Sequence, residues 1–129
     1  MTNYTPLRFS SDQPKASVLI ALTDHPTEPE VILTQRSVHL SSHSGEVAFP
    51  GGKHDLTDPD LLYTALREAE EEVGLNPEQV DVIAPLGQVM SKNRLQVTPW
   101  VGIVPHDVSL KANPDELDAI FRVPLSYLM

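Results

Sequence analysis

Cysteine is absent from the 129-residue chain. Disulfides and thiolate metal sites are therefore excluded, and the composition fits a reducing compartment. Basic residues are scarce: nine Lys and Arg stand against 18 Asp and Glu, for a net charge of −9. Such a chain repels nucleic acid and anionic membranes unless its few bases cluster, so neither is an expected partner. An anionic substrate is still accessible if a divalent cation bridges it to the protein. No apolar run approaches the ~18 residues needed to span a bilayer. The opening MTNYTPLRFS lacks the basic stretch and apolar run of a signal peptide. The expected location is the cytoplasm. There is no internal repeat, low-complexity tract, linker or Walker pattern, and the length suits one domain over residues 1–129.

Short apolar runs and turn residues set out the elements. Ala16 to Leu22 and Val31 to Gln35 read as two strands paired in a hairpin across the Pro26 and Pro29 turn. Arg36 to Ser44 reads as a loop, Gly45 to Phe49 as a short strand, and Gly51-Gly52 as a turn. Val80 to Met90 reads as one or two strands. Leu95 to Val104 is a strand that Pro99 bends or places at an edge. Val108 to Ala112 is a further short strand, and Leu117 to Phe121 a short helix. One helix is strongly marked. Asp58 suits its N-cap and Pro59 its first position, while Gly74 suits the left-handed residue beyond its end. Leu62, Ala65, Leu66, Ala69 and Val73 form one apolar stripe that must pack on a sheet. The reading is a mixed α/β domain.

That helix carries the chemistry. At about 100° per residue, Glu68, Glu71 and Glu72 share one arc beside the stripe. Arg67 can reach Glu71 at i,i+4, and Glu70 points elsewhere. Three crowded carboxylates repel unless a cation neutralises them, and hard oxygen ligands favour Mg²⁺ or Mn²⁺. The glycine turn can bring a backbone carbonyl to the same ions. The alternative is a solvated acidic helix face.

From Gly52 onward, and through Arg67-Glu68-Ala69-Glu70-Glu71-Glu72-Val73-Gly74-Leu75, the chain resembles the Nudix box, G-x5-E-x7-R-E-U-x-E-E-x-G-U. The second half matches fully. The first half carries Asp58 where the box has Glu, and one extra residue before Arg67. Leu33 to Asp55 looks like the second signature of the coenzyme A pyrophosphatase branch, as do Leu95 to Gly102 and Asn113 to Leu125 for later segments. The resemblance implies an α/β/α sandwich around a mixed sheet. It implies hydrolysis of a nucleoside diphosphate derivative, for this branch coenzyme A to 3′,5′-ADP and 4′-phosphopantetheine. It makes Glu68, Glu71, Glu72 and the Gly52 carbonyl metal ligands, and Arg67 the residue that orients the carboxylates. Glu116 becomes a further ligand or the general base, with Glu71 its rival for the base. Ser41 stands where the branch usually has a basic residue, which opens the choice to ADP-ribose, NADH or another nucleotide. A non-catalytic nucleotide- or metal-binding module is the other alternative. The chain stops where a further strand and closing helix are expected, so a C-terminally truncated fold or a covering second copy, a homodimer, is expected.

Four more residues are candidates for substrate contact. Arg36 suits phosphate, as do Lys53 at the glycines, His43 in the signature loop and Arg94 in the later basic loop. Each has an ordinary reading as well, a surface cation or a loop hydrogen bond. His39, His43 and His54 lack zinc spacing.

Overall fold

The structure, a computed structural model, describes residues 14–41, 44–92 and 94–129. Its centre is a parallel pair. Strand β1 (Lys15–Thr23) runs beside β7 (Gln96–Val104), in register from Lys15 opposite Gln96 to Thr23 opposite Val104. Around it lie β2 (Glu30–Arg36), β3 (Val47–Ala48), β4 (Gly51–Lys53), β5 (Asp81–Pro85), β6 (Val89–Met90) and β8 (Leu117–Pro124), all antiparallel to their neighbours. The sheet is mixed, with one α-helix, α1 (Leu61–Val73), among the described residues. The mixed sheet with α1 packed on it is the expected α/β class, with one helical layer among the described residues where the resemblance implied an α/β/α sandwich.

The sheet splits, and the split makes the site. β1 faces β2 at Leu22 and Val31, then leaves it: Ala16, Ser17 and Val18 pair with Lys53, Gly52 and Gly51 of β4. β2 instead takes β3 at Thr34 and Gln35 and β8 along its other edge, with a bulge between Gln35 and Arg36. A cleft opens between the two halves. The expected Gly51-Gly52 turn is thus corrected to a short strand. Glycine is needed at position 52 for space: a Cβ there would collide with the Glu68 carboxylate.

Alternation along β1 sends Leu19 and Ala21 toward α1, where they pack with Ile32, Ala65, Ala69, Val73 and Val104. These fully buried residues are the core, and the apolar stripe read from the sequence is the helix face that meets it. On the other face Val18, Ile20, Leu22, Val101 and Ile103 are only half-buried. The start of the helix is tied to the sheet by Ser17, whose Oγ donates to the Leu61 carbonyl at 2.7 Å. Its N-cap is Asp60, which accepts from the Tyr63 N–H at 2.8 Å, not Asp58 as expected, and Pro59 lies outside the helix. At the far end Gly74 takes φ 72° and donates to Glu70, as its position predicts.

Two further expectations are corrected. Val108 to Ala112 forms no strand; the segment closes the helix, with Lys111 N–H donating to the Val73 carbonyl and Asn113 N–H to the Glu72 carbonyl. These carbonyls are the ones a helix end leaves unpaired. Leu117 to Phe121 is strand rather than helix, because β2 offers it a full ladder of partners. Pro99 does not mark an edge. It sits opposite the break between β5 and β6, where the Leu86 N–H donates to its carbonyl at 2.8 Å and no ladder bond requires a proline N–H.

Candidate active site

A cavity of about 680 Å³ fills the split in the sheet. Its polar lining brings Glu68, Glu72 and Glu116 together with Arg36, Lys53, Glu46 and the backbone of Gly52. Its apolar lining includes Ala16, Val18, Leu95 and Val97, from β1 and from the start of β7. Six of the residues singled out in the sequence therefore meet in one place. Three others do not. Glu71 and Arg67 lie on the rim side of α1, and Arg94 lies outside the lining, exposed and in the left-handed region at φ 62°. His43 falls outside the described residues.

Helix periodicity explains the division. Glu68 and Glu72 are one turn apart and both face inward, with side chains 16% and, for the whole Glu72 residue, 7% exposed. The Glu71 side chain is 53% exposed and accepts from Arg67 Nη1 at 3.3 Å. Burial pushes the Glu68 carboxyl up to about 7, partly offset by Arg67 and reinforced by Glu71 and Glu116. Burial likewise pushes Glu72 up to about 7; the Gly51 N–H, donating to its Oε1 at 3.1 Å, works against this, while Glu68 and Glu116 add repulsion. Glu116 Oε2 is buried and meets no hydrogen-bond partner among the described residues. Glu68, Glu72 and Glu116 raise one another's cost of ionisation, and oxygen donors of this kind suit a hard cation. Among the described residues, no three such side chains yet converge on one point. Glu71 is turned to Arg67, and Glu72 accepts from the Gly51 amide.

Arg67 is organised by a residue whose part the sequence reading assigned to a cap. Asp58 is buried, and both its oxygens receive the guanidinium, from Nε at 2.8 Å and Nη2 at 2.9 Å. Thr64 Oγ1 and the Asp55 N–H also donate to Asp58 Oδ2. These hydrogen bonds, Arg67 first, hold the Asp58 carboxyl well below the usual carboxylate range, and the same pairing raises Arg67. His54 Nδ1 lies 2.8 Å from Thr64 Oγ1 and extends the network. The signal was present in the sequence, since Asp58 occupies the position where the Nudix box carries Glu. His39 is exposed near the loop, its N–H bonded to Ser37 Oγ.

Comparison with known proteins bears on the family and the fold. The curated "Uncharacterized Nudix hydrolase NudL" of Escherichia coli O1:K1 / APEC is 50% identical over 112 residues, covering 87% of this chain and 58% of that protein. The chain therefore spans less than two thirds of that relative's length. A Caenorhabditis elegans Ap4A hydrolase binary complex superposes with a TM-score of 0.74 at 20% identity, over 87% of this chain and 81% of that one. A Nudix hydrolase from Mycobacterium smegmatis, RenU, gives a TM-score of 0.74 at 22% identity, over 90% and 73%. Both show the fold. The model of the NUDIX domain matches residues 13–128, nearly the whole of the sheet, helix and cavity just described, and the chain belongs to that family.

Proposed function

We propose that the cavity hydrolyses the pyrophosphate bond of a nucleoside diphosphate derivative with the help of Mg²⁺ or Mn²⁺. The observation that carries this is the meeting of Glu68, Glu72 and Glu116 with Arg36 and Lys53 in one cleft, two of the carboxyls held near neutrality by burial and one oxygen of the third unpartnered. Glu68 and Glu72 would hold the ion, with Glu71, turned from Arg67, and the Gly52 carbonyl. Bound there, a divalent ion supplies countercharge for the diphosphate oxygens and acidifies a water.

The remaining work falls to the chain. Arg36 and Lys53 bind the diphosphate. Glu116, which lines the cavity where Glu71, the other candidate base, does not, takes the proton of the attacking water on one carboxylate oxygen, and its other oxygen would be a further ligand of the ion. The water oxygen bonds to phosphorus in line as the bridging P–O bond breaks. Asp58 and Arg67 fix the helix turn that presents the glutamates, so Arg67 acts by orienting. Arg94 and His43 remain assigned to substrate contact from the sequence alone.

Coenzyme A or an acyl-CoA is the proposed substrate, giving 3′,5′-ADP and 4′-phosphopantetheine. The apolar wall of Ala16, Val18, Leu95 and Val97 beside the carboxylates supports an uncharged arm next to the diphosphate. The resemblance from Leu33 to Asp55 supports the same branch. A hydrolysis panel of coenzyme A, ADP-ribose and NADH with Mg²⁺ tests this. Release of 3′,5′-ADP is expected; faster cleavage of ADP-ribose or NADH would reassign the substrate. No turnover of any of them would leave a binding module.

A further inference from the structure

We infer that Asn113 is the positioning residue that sets Glu116 against the helix glutamates, an inference that rests on the function proposed above. Glu116 belongs to a different part of the chain from Glu68 and Glu72, and something must fix its distance from them. Asn113 does so through its backbone N–H, its backbone carbonyl and its side-chain oxygen. Its N–H donates to the Glu72 carbonyl at 2.8 Å, which docks the loop on the very residue whose side chain faces the cavity. Its carbonyl accepts from both Glu116 N–H at 3.1 Å and Leu117 N–H at 2.9 Å, which closes the turn and starts β8. Its side-chain carbonyl accepts from the Asp115 N–H at 3.0 Å, a local bond two residues on that holds the turn in shape.

Sequence and geometry agree here. Asn at the first position and Pro114 at the second are the residues that favour such a turn, because proline fixes φ and the asparagine side chain mimics a backbone acceptor. The far end of the turn is held as well, by Ser37 N–H donating to the Glu116 carbonyl at 2.8 Å. Glu116 is thereby clamped between the end of α1 and the end of β2, on the two sides of the cleft. Glu116 thus lines a cavity bounded by the same helix that carries Glu68 and Glu72. The backbone bonds survive any side-chain change, so the part that can be tested is the side-chain bond to Asp115.

The test uses the full chain with Asn113→Ala, Asn113→Ser and Glu116→Gln, singly and with Asn113→Ala combined with Glu116→Gln. Mn²⁺ affinity is followed by electron paramagnetic resonance, and amide exchange at Glu116 and Leu117 without added metal. Asn113→Ala is expected to weaken Mn²⁺ binding about 10-fold, the scale of a residue that orients a ligand. It should also speed exchange at both amides while the thermal midpoint stays close to wild type. Asn113→Ser, which keeps a short acceptor, should recover most of the affinity. In the Glu116→Gln background the alanine change should add less than about 2-fold, because residues acting through one another are not additive. An equal loss in that background, or no rescue by serine, would overturn the positioning role. A wild-type chain that binds Mn²⁺ but cleaves no diphosphate overturns the proposed function alone, and the affinities still decide Asn113. A wild-type chain that binds no Mn²⁺ overturns both.

Discussion

Asp58 and Glu72 are both buried carboxylates near α1, and they have been driven in opposite directions. Asp58 is enclosed by donors, a two-pronged guanidinium, a hydroxyl and a backbone N–H, and its charge is held. Glu72 has one backbone N–H, with the carboxylates of Glu68 on the same helix and Glu116 from another segment nearby, and burial raises its carboxyl to about 7. Burial alone therefore does not say what a carboxylate is for. A satisfied one locks the structure, and an unsatisfied one is kept where a ligand can use it.

Breaking the unsatisfied side should have the largest effect. Glu72→Gln is expected to lower Mg²⁺-dependent turnover by about 10²–10³-fold, the scale of removing one group that stabilises developing charge. The melting temperature of this variant should hold or rise, since it removes a repelled charge. Near-normal turnover would refute the assignment. Next comes the satisfied side. Asp58→Ala takes from the part-buried Arg67 its two-pronged partner and leaves the longer contacts to Glu68 and Glu71, and the thermal midpoint should fall by roughly 10 °C. Activity should fall with it and return in part at low temperature.

A pH titration of stability sharpens the contrast. Glu72 and Glu68 have raised carboxyls, from 4.5 to about 7, so the folded state binds protons more tightly than the unfolded one. Their contribution is present in full below about 4.5 and is lost as the pH rises to about 7. Asp58 is depressed, so its contribution is present above 3.8 and disappears as the pH falls through its folded value. Urea midpoints measured without metal should decline from pH 4.5 to 7, and Glu72→Gln should flatten that decline. Adding Mn²⁺ at pH 7 should reverse it by about 2.7 kcal/mol at a hundred times the dissociation constant. The smallest effect belongs to Glu70, which is exposed on the same helix. Glu70→Gln should stay within about 0.5 kcal/mol and leave turnover unchanged.

Much of the site was legible in the chain, and the misreadings share a cause. Glu68 and Glu72 were found because helix period is a local property. Glu71 falls in the same arc, yet the helix turn leaves it on the exposed side, where it pairs with Arg67. Leu117 to Phe121 was read as helix from local preference, and the ladder offered by β2 overrode that preference. Gly51-Gly52 was read as a turn, since glycine pairs favour turns, while β1 had an edge that recruited them as a strand. Asp58 looked like a cap because an acid before a proline and a helix usually is one; its partner Arg67 lies nine residues on.

The sequence by itself determined the helix, its apolar stripe, its left-handed glycine end, the spacing of its glutamates, and the family those spacings resemble. These depend on neighbours within a few residues. Only the tertiary structure decided that the sheet splits between β1 and β2, that Glu116 meets Glu68 and Glu72 in the gap, and that Asp58 is spent on Arg67 rather than on the helix cap. Those outcomes join residues far apart in the chain, and they follow from which strand edge, donor or charge was left for each to meet.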